Sequence, residues 1–317
     1  MIFYQDVLKN GNVDVESVRF PNQQISLAGN VFTPKNSKKD KYPAIVIGTP
    51  SGGVKEQTAG TYAALLAEKG FLTIAFDASY QGESTGEPRF LENPSARVED
   101  LRCAVDYLTT RNDVDSEKIA ILGMCASGGF AIKAAETDLR IKAVATVSMA
   151  DLGDLFRNGL ERDSTPENRK NLLEKVSAQR TREANGGEIF YIGYVPNSVE
   201  ETIGQKNDYR EGFEYYRVSP AKHERSENKM IFSRIDSIIN FTALDHVEMI
   251  FPRPILMIAG TEANTKYFSE EAFQKAKGDK FIHWIQGATH IQLYYVKKYV
   301  LEAVDELETF YKKFLDS

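Results

Sequence analysis

The chain has 317 residues, a net charge of −6, 42% hydrophobic and 26% charged side chains. Those totals suit one large α/β domain with room for an inserted lobe, and they exclude a disordered or low-complexity chain. The acidic balance, with no basic stretch, argues against nucleic acid as a partner, and no apolar run approaches the length of a membrane span. The start, Met1-Ile2-Phe3-Tyr4-Gln5-Asp6, has neither a basic beginning nor a long apolar stretch, so no signal peptide is expected. Cys103 and Cys125 are too few for a disulfide framework, and a reducing cytoplasm is the expected compartment.

In chain order, residues 15–20 and 25–33 read as two strands, the second alternating like a half-exposed antiparallel edge. A charged turn over 35–41 follows. The pattern then changes to short runs of branched residues at 44–47, 72–76, 119–122, 143–147, 255–258 and 281–285. Helices are predicted between and after them at 57–69, 96–110, 126–137, 269–276 and 296–314. Cys103, inside the second of these helices, is most simply a packed core residue. Strand–helix alternation of this kind demands right-handed crossovers and a parallel sheet buried on both faces.

The alternation lapses between Asp151 and Arg253. Residues 1–150 and 254–317 therefore read as the core, and 151–253 as an inserted lid. Its aromatic pairs, Phe190-Tyr191 and Tyr215-Tyr216, fit either an apolar substrate cavity or a small core of the lid's own.

The most informative stretch is Lys118-Ile119-Ala120-Ile121-Leu122-Gly123-Met124-Cys125-Ala126-Ser127-Gly128-Gly129. An apolar run stops at a glycine, one reactive side chain stands two residues on, and small residues follow. That is the form of a nucleophile elbow, a strand-to-helix turn too tight for bulky neighbours on either side of the reactive residue. A register centred on Ser127 also has small flanks but leaves Gly123 unexplained, so Cys125 is the expected nucleophile. The turn 113–118 is expected to feed the strand.

A thiol needs a base, and the chain has four histidines. His290, in Gly287-Ala288-Thr289-His290, follows the last predicted strand and lies at the sheet edge where Cys125 must emerge. The acid that orients it is open between Asp151, just past the fourth parallel run, and Glu262, past the fifth. Ala263 stands where an aspartate would be ordinary, and neighbouring Asn264 is an uncharged alternative. For Asp151 the competing role is a helix cap. A thiolate–imidazolium pair can pre-exist at neutral pH, which would lighten the acid's role. The oxyanion donors are expected to be the N–H of Ala126 and that of Ser51 or Gly52 in Gly48-Thr49-Pro50-Ser51-Gly52-Gly53. Tyr80, in the polar loop after 72–76, is a candidate substrate contact. No metal-ligand spacing, phosphate loop or dinucleotide fingerprint is present, so neither metal nor cofactor is expected.

These residues resemble the α/β-hydrolase superfamily, and within it the dienelactone hydrolase-like branch, in which Gly-x-Cys-x-Gly-Gly carries a cysteine nucleophile; Ser127 replaces the first paired glycine here. The stretches Gly52-Gly53-Val54-Lys55-Glu56-Gln57-Thr58-Ala59, Tyr80-Gln81-Gly82-Glu83-Ser84-Thr85-Gly86-Glu87-Pro88-Arg89 and Tyr267-Phe268-Ser269 are similar to a bacterial and fungal group that includes thioester hydrolases and acyl transferases of polyketide processing. The resemblance implies a hydrolase acting on a small ester, lactone or thioester through an acyl-enzyme. Transfer of the acyl group to an acceptor other than water is the alternative, and a non-catalytic binding protein on the same scaffold is the alternative from another class. The acyl and leaving groups are not legible, and a homodimer is compatible with the residues without being required by them.

Overall fold

The computed structural model describes residues 1–35 and 39–315; the middle of the expected charged turn, 36–38, lies outside the described residues. The mostly exposed β1 (Val13–Asn22) forms the antiparallel edge and pairs with β2 (Ile25–Pro34), preceded by a short helix, α1 (Tyr4–Leu8), with no counterpart in the sequence reading. β2 is not the half-exposed strand expected, because it lies inside the sheet and its residues 27–32 are all buried. Continuous branched runs then form β3 (Tyr42–Gly48), β4 (Leu72–Phe76), β5 (Val114–Met124), β6 (Ile141–Val147), β9 (Ile255–Gly260) and β10 (Lys280–Ile285). The eight-stranded sheet has the order β1-β2-β4-β3-β5-β6-β9-β10. β1–β2 and β2–β4 pair antiparallel, and every later pair is parallel.

Both sheet faces are covered, which explains why all seven residues of β3 are buried. On one face α3 (Pro94–Thr109), α4 (Ala126–Thr137) and α9 (Lys266–Lys275) pack against Val46, Ile119, Ile121 and Val144. On the other, α1, α2 (Thr58–Glu68) and α11 (Lys297–Leu315) pack against Ile45, Ile47, Ala120 and Leu122. Cys103 lies in α3, buried, and its thiol is pushed up to about 12 by burial. The stretch 113–118, expected as a turn, belongs largely to β5, because Val114 already pairs with Tyr42.

Between β6 and β9 the chain forms α5 (Leu152–Asn158), α6 (Pro166–Ala184), a two-stranded sheet of β7 (Tyr191–Ile192) and β8 (Met230–Ile231), α7 (Asn207–Phe213), a π-helical turn at Glu214–Val218 and α8 (Ile235–Ile239). A four-residue helix, α10 (Gln292–Tyr295), separates β10 from α11. Ion pairs strap the inserted segment to the core: Lys55, buried at 2% exposure, contacts Asp77, Glu83 and Glu56, and Glu56 also takes the Arg225 guanidinium at 2.7 Å. No helix among the described residues is long and apolar enough to cross a membrane.

Candidate active site

β5 delivers its last residue to the C-terminal edge of the sheet, and the chain reverses there into α4. Cys125 takes the turn with φ 54° and ψ −126°, a conformation that a side-chain-bearing residue rarely adopts. Surrounding bonds hold the strain in place. The Cys125 N–H donates to the Val147 carbonyl at 3.1 Å, and its carbonyl accepts from Gly128 and Ala150, each at 2.9 Å. Gly123 is needed for proximity: a Cβ there would lie 2.2 Å from the Ser127 carbonyl oxygen. Ser127 does not occupy the elbow. It sits inside α4, buried, with its hydroxyl donating to the Thr49 carbonyl at 2.5 Å.

The half-buried Cys125 faces a cavity of about 450 Å³ that it shares with Ala126, Ser51, His290, Thr265 and Tyr294. The other three histidines lie outside it, beside Glu56, Glu248 and Glu302. His290 comes from the loop after β10 and is buried at 5% exposure. Both ring nitrogens are engaged. Nδ1 lies 2.6 Å from the Thr265 hydroxyl and Nε2 lies 2.9 Å from the Tyr294 hydroxyl. The Tyr294 hydroxyl also hydrogen-bonds the Cys125 sulfur, so it stands between sulfur and imidazole.

Neither expected acid orients the imidazole. Asp151 caps α5: one carboxylate oxygen accepts from the Asp154 N–H at 3.1 Å and the other from the Ala243 N–H at 2.9 Å. Glu262 is exposed, and its carboxylate accepts from the neighbouring Thr261 hydroxyl at 3.3 Å, not from the imidazole. Asn264 is half-buried and does not line the cavity. Thr265, which N-caps α9, holds the position instead. With no carboxylate beside it, burial alone acts on His290 and pulls its pKa down to about 4. Burial raises the Cys125 thiol, against the opposing pull of the Tyr294 and Ala126 hydrogen bonds. The expected thiolate–imidazolium pair is therefore disfavoured at rest; the neutral thiol and neutral imidazole are the favoured forms.

The Ala126 N–H points at the sulfur. Ser51 occupies the second position of a turn closed by the Gly53 N–H on the Pro50 carbonyl at 3.0 Å, with Gly52 at φ +71° as type II geometry requires. Ser51 lines the cavity, and its buried hydroxyl has no hydrogen-bond partner. Gly52 lies under the Tyr194 ring, away from the Cys125 cavity. Tyr80 is not at the cavity either. The loop after β4 turns back on itself, anchored by the buried Asp77 and Asp100, and the Tyr80 ring rests on Gly86.

Sequence reasoning missed Tyr294 and the buried charged group behind the elbow, and left Tyr216 open between two roles. Tyr294 lies four residues beyond His290, a spacing that brings side chains together within one helical turn. Tyr216 is buried from the π-helical turn, with its hydroxyl unpartnered against the same cavity, while Phe190 instead packs on Phe232, 5.5 Å between centroids. The two aromatic pairs thus divide between the alternatives: one residue lines the cavity and the other serves the inserted segment's own packing. The charged group lies behind the elbow. Arg97, buried at 5% exposure, donates to the Thr49 carbonyl at 2.7 Å and to the Ser127 hydroxyl at 3.2 Å, with Glu92 at 3.5 Å. Glu92 in turn accepts from the Tyr194 hydroxyl of the inserted segment at 2.8 Å. Among the described residues no three His, Cys, Asp or Glu side chains are grouped to hold a metal ion.

Comparison with known proteins gives this geometry a family. The pattern described as "Dienelactone hydrolase family" matches residues 27–149. The uncharacterised protein YcjY of Escherichia coli K12 is 40% identical over 296 residues, covering 93% of this chain and 96% of that one. The thiohydrolase apmlB of Arthrinium phaeospermum is 27% identical over 194 residues, 60% of this chain and 61% of that one. The polyketide transferase grgF of Penicillium sp. is 24% identical over 254 residues, 78% and 81% of the two chains. The crystal structure of the hypothetical protein PA2218 from Pseudomonas aeruginosa superposes with a TM-score of 0.89 at 36% identity, covering 96% of this chain and 94% of that one. The α/β hydrolase GrgF from Penicillium sp. sh18 has the same fold, with a TM-score of 0.79 at 21% identity, covering 96% and all of the two chains. This chain belongs to the dienelactone hydrolase family and has the α/β-hydrolase fold.

Proposed function

We propose that Cys125 is the nucleophile of an ester, lactone or thioester hydrolase, with His290 as its base and the segment 151–253 as a lid over the acyl group. The observation that carries this reading is the Tyr294 hydroxyl, hydrogen-bonded on one side to the elbow sulfur and on the other to the His290 imidazole. When the sulfur attacks the carbonyl carbon, the thiol proton passes to the Tyr294 oxygen while the Tyr294 proton moves to His290 Nε2. His290 Nδ1–H then donates to Thr265. The carbonyl π electrons move onto oxygen, where the Ala126 N–H and the Ser51 backbone or hydroxyl donate to the resulting charge. Collapse of the tetrahedral intermediate expels the alcohol or thiol, protonated by return of the same proton from His290. Water activated by His290 then releases the acid and restores the thiol. A neutral Thr265 in the third place suits this chemistry, because a thiol is far easier to deprotonate than a serine hydroxyl.

Acyl transfer is the second reading. Most of the cavity lining is apolar, including Leu152, Leu155, Phe156 and Met230, and such a wall disfavours water as the acceptor. The named activities of apmlB and grgF lie on the two sides of this choice.

Intact-mass analysis after mixing with short p-nitrophenyl esters and N-acetylcysteamine thioesters tests the assignment. One acyl adduct is expected, on the peptide that contains Cys125. Faster discharge by an added alcohol or amine than by water selects transfer. An adduct on Ser51 or Ser127 instead would refute the cysteine as nucleophile.

The neutral resting pair has its own signature. With the thiol raised by burial, iodoacetamide is expected to alkylate Cys125 at about pH 7 more slowly than a free thiol of ordinary pKa near 8.5. The rate should keep climbing with pH above that value, since the thiolate is the reacting form. Rapid labelling at about pH 6 would show a pre-formed thiolate and contradict the neutral pair.

A further inference from the structure

The lid segment brings one carboxylate into the mostly apolar cavity. Asp208, in α7, lines the same hollow as Cys125, and its Oδ2 is buried with no hydrogen-bond partner. The nearby cation does not serve it: Lys206 is occupied by Glu161 at 2.9 Å and Asp163 at 3.3 Å. The charges that act on Asp208 are Glu211 and Glu161, both of its own sign. Burial foremost, and those charges after it, push its carboxyl up to about 6, which still leaves it mainly ionised at neutral pH. A buried, ionised oxygen without a donor is an unfavourable feature in a free cavity, and it becomes favourable when a ligand supplies an O–H or N–H.

We propose that the acyl group of the substrate carries a hydrogen-bond donor, a hydroxyl or an ammonium, that binds the Asp208 carboxylate while the carbonyl lies at Cys125. This rests on the reading of Cys125 as the nucleophile and deepens it by naming a substrate class: an acyl chain apolar along Leu152, Leu155 and Met230 and polar where it meets α7. Discrimination of this kind can be steep, because an analogue lacking the donor leaves the buried carboxylate unpaired in the complex.

The test is a matched panel of N-acetylcysteamine thioesters, with acyl chains of about four to ten carbons ending in methyl, hydroxyl or ammonium. At the best chain length the wild-type protein is expected to favour a donor-bearing acyl group over the methyl analogue by about tenfold or more in kcat/KM. Preference for the hydroxyl alone or the ammonium alone identifies the source of the donor. Asp208→Leu is expected to bring the ratio to about one or below. Asp208→Asn, nearly isosteric, should abolish an ammonium preference and weaken a hydroxyl one, and it serves if the leucine variant fails to fold. Equal or better turnover of the methyl analogues by the wild-type protein would overturn the proposal, as would a ratio unchanged by both substitutions. Acyl adducts separate the two levels. If every chain type acylates Cys125 without preference, only the role of Asp208 falls; if none acylates Cys125, the nucleophile assignment falls with it.

Discussion

Cys125→Ala is expected to cut turnover of activated esters and thioesters by about four orders of magnitude or more, to the background rate, with no acyl adduct detectable. Removing the sulfur removes the covalent route, and nothing else at the elbow can replace it. The Ser127 hydroxyl is turned into the Thr49 carbonyl, and the Ser51 hydroxyl comes from another loop with no base bonded to it. The fold should survive, because the bonds that hold the elbow are made by the Cys125 backbone. Stopped-flow and steady-state rates, with a denaturation curve as control, check both halves. Residual activity within tenfold of wild type would remove Cys125 from the chemistry. Tyr294→Phe should fall between: loss of the bridging hydroxyl breaks the path from sulfur to imidazole and lowers kcat by about a hundredfold, with the ring volume kept. If it matches wild type across the pH profile, proton transfer goes directly from sulfur to imidazole.

The inner parallel strands and their order of appearance are legible in the sequence because they are buried on both faces and read as uninterrupted apolar runs, whereas β10, at the sheet edge, is only half-buried. The elbow is legible for a different reason: backbone crowding forbids a side chain at Gly123, and such a constraint leaves a mark at a fixed spacing from Cys125. His290 follows from position alone. What it bonds does not. Thr265 and Tyr294 are common residue types whose partners depend on where two loops and a four-residue helix come to rest, and no local pattern encodes that. Asp151 misleads for a physical reason. A carboxylate just past a strand serves a helix N-terminus as well as an imidazole, and here two backbone N–H groups claim both its oxygens. Tyr80 misleads similarly, since a polar loop at the sheet edge can satisfy its own buried Asp77 and the buried Asp100 of α3 instead of facing the substrate.

The absence of a carboxylate at His290 changes what the site can do. In a serine enzyme the acid stabilises the imidazolium that forms during attack. Here Thr265 gives direction to the ring without charge, and burial keeps the resting imidazole neutral down to about pH 4. On the proposed mechanism a base at His290 would stay available under mildly acidic conditions, and deprotonation of the thiol would be coupled to arrival of the carbonyl. Amide substrates, whose leaving groups demand a stronger proton donor and a stronger push, fit such a centre poorly. Activated esters and thioesters fit it well.

Gly123→Ala is expected to destabilise the whole protein by about 3 kcal/mol or more and to abolish activity in whatever fraction still folds. The added methyl would sit 2.2 Å from the Ser127 carbonyl oxygen and 2.6 Å from the Gly128 Cα. Both are backbone atoms of the first turn of α4, so no rotamer change relieves the contact. Relief requires moving the start of α4 away from β5. That helix packs Phe130, Ala131 and Ala134 into the core over the sheet, and Cys125 is tied to β6 through the Val147 carbonyl. Shifting it by even a fraction of an ångström opens the packing and drags the sulfur off the line to Tyr294. Chemical denaturation should show a midpoint lowered in proportion, with the slope unchanged if only stability is affected. A variant as stable and as active as wild type would mean that the strand-to-helix turn is far more plastic than its contacts allow, and the strained geometry at Cys125 would lose its structural basis.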